Sequence, residues 1–224
     1  MKIGIIIAIE RELKAFLESG NGIREERVGS RTIYQTSLHG HEVFAIQSGY
    51  GEIDAAAATQ LLILWSQCEL ILNFGVTGAL DPSLRVEDLL IVRRVRHYDY
   101  DVSPIDPVEK NQYAEFPDPF IPLDDALIHR ALCACPNLRE ATVASGDRFI
   151  EKQDEKKALR ALGCDICDME IAGIARVCFL NHIPCLSVKC ISDTYDGNGG
   201  DFQQNVIRSA RAAFSILSSI MAGL

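Results

Sequence analysis

Seven apolar runs, at 2–8, 32–37, 42–47, 69–74, 88–96, 139–145 and 184–191, are rich in β-branched residues, and segments of helical period lie between most of them. That alternation is the pattern of a sheet covered by helices, and it predicts an α/β protein with helices at about 10–18, 52–66, 124–133, 154–162, 169–180 and 203–221. The runs 32–37 and 42–47 flank Leu38-His39-Gly40, a short connection with a hairpin-type glycine, so the sheet is expected to be mixed. At 224 residues the chain exceeds a typical domain of about 100–200, yet α/β units commonly reach about 250. No repeat, low-complexity tract or Pro/Ser linker divides it, so 1–224 is read as one domain.

Composition removes several classes of function. With 48% hydrophobic residues the chain fills a core, which excludes native disorder. Its formal charge of −9 is spread along the chain, against the clustered cations of a phosphate-backbone binder, so no nucleic acid partner is expected. The longest uncharged stretch, Ala55 to Cys68, is 14 residues and contains Thr59, Gln60 and Gln67, short of the roughly 18 a membrane span needs. The opening MKIGIIIAIERE carries seven apolar residues between Lys2 and Glu10 with no small-residue cleavage pattern after them, so it reads as a buried strand and the chain as cytoplasmic. The eight cysteines are scattered through predicted strands and helices; reduced core thiols fit them better than a disulfide or zinc framework. Cys133-Ala-Cys135 and Cys164-x-x-Cys167 are the close pairs, and neither has a Cys/His partner at finger-like spacing.

Several strands end in small residues. Gly49-Tyr50-Gly51 follows 42–47, Gly75-Val76-Thr77-Gly78 follows 69–74, Ser145-Gly146-Asp147 follows 139–145, and Ser192-Asp193 follows 184–191. Ligands of α/β sheets bind outside the carboxyl ends of strands, and these ends together suggest one pocket, although any single glycine there also serves a tight turn. The irregular segment 98–123 holds five of the eight prolines and is a candidate lid or binding loop. Three acids adjoin apolar sequence near the pocket edge: Glu12, one turn into the first helix; Glu170, at a helix start; and Asp193, after the strand LSVKCIS. A partly desolvated carboxyl paired with a more polar carboxylate suits glycosidic-bond chemistry. Acids near helix N-termini also serve the macrodipole or a cap, and residue type alone leaves both readings open.

The blocks MKIGIIIAIERE, SGYGEIDAAAATQLL, LNFGVTGALDPSLRVEDLLIV, HYDYDVS, VASGDRFI, DMEIAGIARVC and CISD occur in the order, and over nearly the full length, of a known family. The chain resembles the 5′-methylthioadenosine/S-adenosylhomocysteine nucleosidases of the nucleoside phosphorylase superfamily. The resemblance implies a three-layer α/β/α sandwich with a central mixed, twisted sheet. It also implies hydrolysis of the N9–C1′ bond of a 5′-thio-substituted adenosine by a homodimer, and nothing in the sequence points to a metal or organic cofactor. By similarity Glu12 is the base that orients water and Asp193 the acid at adenine N7. Glu170, beside the Met169 backbone, accepts from the ribose hydroxyls, Phe149 stacks on adenine and the Ile150 backbone reads its edge. Ile9, Tyr50, Val76, Thr77, Gly78, Val102, Lys189, Ser192 and Phe202 complete the implied substrate site.

The sequence departs from the family pattern where Val76 replaces a Ser or Thr hydroxyl, with Thr77 beside it, and where Lys189 replaces a frequent Arg. Tyr50 stands where an aliphatic residue is common, and Val102-Ser103-Pro104-Ile105-Asp106-Pro107 lacks the aromatics of the 5′-side loop. The alternatives are a purine nucleoside phosphorylase, a nucleosidase of another 5′-substituted nucleoside, and a nucleoside-binding protein without turnover. Glu12 would repel phosphate, and Arg11 should point about 100° away from it on a helix. The uncharged face AAAATQLLILW with Trp65 is read either as an isologous dimer patch or as core.

Overall fold

The computed structural model describes residues 1–20 and 22–224. Their elements run β1 (Lys2–Ile7), α1 (Glu10–Ser19), β2 (Arg24–Val28), β3 (Arg31–Leu38), β4 (His41–Gln47), α2 (Glu52–Ser66), β5 (Leu70–Ala79), β6 (Leu89–His97), β7 (Ile121–Pro122), α3 (Asp125–Ala134), β8 (Arg139–Ser145), α4 (Gln153–Ala161), β9 (Ile166–Asp168), α5 (Ile171–Leu180), β10 (Cys185–Asp193) and α6 (Gly199–Met221). The expected strands and helices are all present. β2, β7 and β9 are additional, because REERV, IP and ICD are too charged or too short to register as apolar runs.

The sheet is mixed. β1 lies parallel between β4 and β5, and β3 and β2 continue beyond β4 as antiparallel hairpins. The β3–β4 connection is as tight as expected: Leu38 pairs with His41, and His39 and Gly40 both take positive φ, as a two-residue type I′ turn requires. At the other end the sheet curls onto itself. β5 pairs with β1 over its first residues, with β10 along most of its length and with β9 at its tip, and β10, β6, β8 and β9 close a ring back to β5. Gly75-Val76-Thr77-Gly78 therefore lies inside β5 and not in a loop after it, since pairing with β10 continues through Gly78.

Helices cover both sides, α6 against β10 and β5 with α1 packed on α6, and α2 and α5 packed together against β1, β4 and β6. β10 is buried at every position, as a strand covered on both faces should be. Phe16 of α1 packs edge-on to Phe214 of α6, which lies 5.0 Å from Phe74 of β5. Burial of Phe16 stabilises this layer by about 1.5–3 kcal/mol, and Phe16→Ala would cost roughly 3–5 kcal/mol with its cavity. On α2, Trp65 turns inward and meets Phe44 edge-on at 5.8 Å, so its part of the uncharged face is core. Ile53 and Leu64 remain exposed. All eight cysteines are free thiols, six of them buried. Among the described residues no helix is long and apolar enough to cross a membrane.

The segment after β6 is tied back to the strand it leaves. Asn111, in a left-handed conformation, donates from Nδ2 to Tyr98 O and Tyr100 O at 2.8 Å each, and Arg96 Nε donates to its Oδ1 at 3.1 Å.

Candidate active site

One cavity, about 570 Å³ including its mouth, opens where β1, β5, β9 and β10 end. It is lined by Ala8, Ile9, Glu12, Tyr50, Val76, Thr77, Gly78, Arg148, Phe149, Ile150, Cys167, Asp168, Met169, Glu170, Ser192, Asp193 and Phe202. The structure thus brings together every residue singled out from the sequence except Val102 and Lys189. Val102 belongs to the anchored segment after β6, no residue of which reaches this cavity. Lys189 lies behind the wall, fully buried, with Nζ 2.7 Å from Asp168 Oδ2. Ala8, Arg148, Cys167 and Asp168 line it as well. Sequence reading passed over them, although Arg148 and Asp168 sit inside the blocks VASGDRFI and DMEIAGIARVC.

Glu12 enters from the first turn of α1 and is buried. Its Oε1 accepts the Val76 N–H at 2.9 Å and its Oε2 the Ile9 N–H at 3.2 Å, so the carboxylate both caps α1 and is fixed against β5. A Cβ on Gly75 would lie 2.6 Å from Oε1, so only glycine permits this approach. Burial pushes the Glu12 carboxyl above its ordinary 4.5, against the opposing pull of the Val76 N–H and Lys189. A poised base results, more basic than a free carboxylate. The Val76 side chain faces the cavity without a hydroxyl, and the Thr77 hydroxyl donates to Cys167 O at 2.8 Å.

Asp193 ends β10 and is buried, with Oδ1 accepting from Ser192 Oγ at 2.9 Å. It is no helix cap, since α6 begins at Gly199 behind its own Asn198 cap. Burial raises its carboxyl above the usual range, which favours a proton-holding acid. The segment after it is tied down by Lys156, whose buried Nζ donates to Thr194 O, Tyr195 O and Gly197 O at 2.9–3.0 Å.

Glu170 is the N-cap residue of α5, yet its side chain makes no cap bond. It turns to the cavity, accepting from Gly51 N–H at 3.1 Å and Met169 N–H at 3.3 Å. Burial first, then the Asp168 charge, pushes its carboxyl upward. Burial alone would lower Lys189, but Asp168, Glu170 and Glu12 together raise it, so it remains the buried cation of this acidic floor. The rim is aromatic: Phe149 is 48% exposed and meets Phe202 edge-on at 5.8 Å, and Tyr50 is 65% exposed. The cavity's cation, Arg148, pairs with Glu155. Arg11 points away to Gln203, as its place on α1 implies.

Comparison with known proteins agrees with this geometry. The sequence model of the Phosphorylase superfamily matches residues 2–222. A 5′-methylthioadenosine/S-adenosylhomocysteine nucleosidase of Buchnera aphidicola subsp. Schizaphis graminum is 32% identical over 92% of this chain and 90% of its own. Among solved structures, the nucleosidase of that name from Helicobacter pylori, in complex with a pyrrolidinol bearing a propynylthiomethyl group, superposes with a TM-score of 0.93 at 27% identity, covering 100% of this chain and 99% of the other. Futalosine hydrolase of Helicobacter pylori strain 26695 gives 0.93 at 26%, covering 100% and 98%. The chain belongs to the phosphorylase superfamily and, within it, to the 5′-methylthioadenosine/S-adenosylhomocysteine nucleosidases.

Proposed function

We propose that this pocket hydrolyses the N-glycosidic bond of 5′-methylthioadenosine and S-adenosylhomocysteine, releasing adenine and the 5-thio-substituted ribose. The observation that carries the reading is the convergence of Glu12, Glu170 and Asp193 on one cavity with an aromatic rim. As the N9–C1′ bond lengthens, its electron pair passes to adenine and Asp193 delivers a proton to N7. The ribose gains cationic character, and Glu170, accepting from its hydroxyls, binds it more strongly than the neutral ground state. Water adds to C1′ while Glu12 takes its proton. In this reading Phe149 stacks on the base beside the Ile150 backbone, and Met169, Ser192, Tyr50, Ile9 and Phe202 line the rest of the cavity.

Water is favoured over phosphate because the wall nearest the proposed attack holds a carboxylate, Glu12, where a dianion would need converging cations. The exposed Ile53 and Leu64 of α2 and Leu180 of the adjoining α5 support a homodimer through this face, which sedimentation tests. Purified protein is expected to release adenine from both thio-nucleosides. Release from neither, with release of a base from futalosine, would move the reading to the other hydrolase that shares this fold.

A further inference from the structure

Glu52 opens α2 and is buried, yet it does not line the cavity. Its side chain crosses to two other elements. Oε2 accepts the Gly173 N–H of α5, and Oε1 lies within hydrogen-bonding distance of Ser145 Oγ at the end of β8. Ser145 Oγ also lies 2.6 Å from Asp168 Oδ1 and accepts the Ala172 N–H at 3.1 Å. Asp168 in turn pairs with Lys189. A hydroxyl has one proton to donate and two positions at which to accept. Placed between two carboxyl oxygens, Ser145 Oγ can donate to one and must accept a proton from the other. The Lys189 ammonium, 2.7 Å from Asp168 Oδ2, favours Asp168 as the acceptor of the Ser145 hydroxyl. The donor to Ser145 is then Glu52 in its acid form.

The same bonds answer a question raised by Glu170. An N-cap side chain ordinarily binds the N–H groups of the first helical turn, but Glu170 faces the cavity instead. The Ala172 and Gly173 N–H groups, which would otherwise be orphaned, are taken by Ser145 and Glu52. Gly173 fits this arrangement sterically: a Cβ there would lie 2.5 Å from the Glu52 carbonyl oxygen and 3.0 Å from Oε2.

We propose that Glu52 is a positioning residue of the active site, a protonated carboxylic acid that caps α5 from outside so that Glu170 is free to hold the ribose. The proposal rests on the role assigned to Glu170 above. The groups facing Glu52 are mostly acids and phenols, Asp147 beyond β8, Asp168 on β9, Glu170 at the N-cap position of α5, and Tyr98 and Tyr113 beyond β6, while Lys189 on β10 is engaged by Asp168 and Asp54 on its own helix turns out to Arg31. Burial first, then the Asp168 charge, raises the Glu52 carboxyl to about 8.

Glu52→Gln reproduces the acid form, with an amide N–H for Ser145 and a carbonyl for Gly173, and cannot ionise. At pH 7 its kcat/KM for 5′-methylthioadenosine should stay within about twofold of wild type, whereas Glu52→Ala should lose roughly tenfold or more. The second readout needs no substrate. Between an unfolded value near 4.5 and a folded value of about 8 the native state holds a proton that the unfolded chain has lost, so wild-type stability falls as pH rises through that window. The fall in thermal midpoint between pH 5.5 and 8 should be shallower in Glu52→Gln. Equal slopes in the two proteins, or a Gln variant tenfold down at pH 7, would overturn the proposal. Should Glu52→Ala not fold, the Gln comparison decides alone. If the wild type released no adenine, the reaction reading would fail while the stability slopes still reported the proton.

Discussion

The floor and the rim of the pocket are built in opposite ways. On the floor, Glu12, Glu170 and Asp193 are buried, and each accepts a hydrogen bond from a fixed neighbour: Val76 and Ile9 backbone, Gly51 and Met169 backbone, and the Ser192 hydroxyl. On the rim, Tyr50 and Phe149 are about half exposed or more, with Phe202 as the aromatic neighbour of Phe149. Charge that must meet a developing cation needs fixed placement in a water-poor setting, whereas a flat base needs only a face to lie against. On the proposed mechanism turnover belongs to the floor and affinity to the rim, so substitutions should separate along that line.

The largest effects belong to the floor. Glu12→Gln keeps the size and removes the base, so turnover should fall by about 100-fold or more while binding of a nucleoside analogue survives. Unchanged turnover would remove Glu12 from the mechanism. Asp193→Asn cannot protonate N7, and steady-state assays should show less than roughly a tenth of wild-type adenine release. Because Glu12 must be ionised to act and burial holds its carboxyl above 4.5, the rate should fall on acidification with an acid limb above that value. A limb at or below 4.5 would assign the base elsewhere.

Gly75→Ala tests placement alone. Its Cβ would meet Glu12 Oε1 at 2.6 Å, and a carboxylate displaced by about an ångström should cost turnover roughly tenfold to 100-fold with the base still present. On the rim, Phe149→Ala removes a stacking face worth about 1 kcal/mol at this exposure and should raise KM about fivefold with little change in kcat. An equal fall in kcat would erase the distinction between rim and floor. The smallest effect tests the most visible departure from the family. Val76 lines the cavity, so Val76→Ser adds a hydroxyl where the proposed mechanism puts the attacking water, and one recovered hydrogen bond of about 1 kcal/mol corresponds to roughly fivefold in turnover. The Thr77 hydroxyl is engaged with Cys167, so Thr77→Val should destabilise β5 against β9 more than it slows the reaction.

Apolar periodicity marked each long element, because strands and helices that bury a face must repeat at 2 or 3.6 residues. It missed β2, whose REERV is an exposed, charged edge, and it ended β5 at Phe74, where glycines hide a strand that pairs on to Gly78. Trp65 was ambiguous for the same reason: α2 is apolar on nearly every side, and only the position of Phe44 shows which face is inward. Family blocks made Glu12, Glu170 and Asp193 legible. Glu52 stood within one of those blocks unnoticed, because its partners Ser145 and Gly173 lie 93 and 121 residues away and acquire meaning only once β8 and α5 meet.

On the proposed mechanism the floor activates water and excludes phosphate. Incubating the protein with 5′-methylthioadenosine in phosphate-free and phosphate-containing buffer, and identifying the sugar product in each, separates the two nucleophiles. The same rate and the free thio-substituted ribose are expected in both buffers. A sugar phosphate, or a rate that rises in proportion to phosphate, would make phosphate the nucleophile.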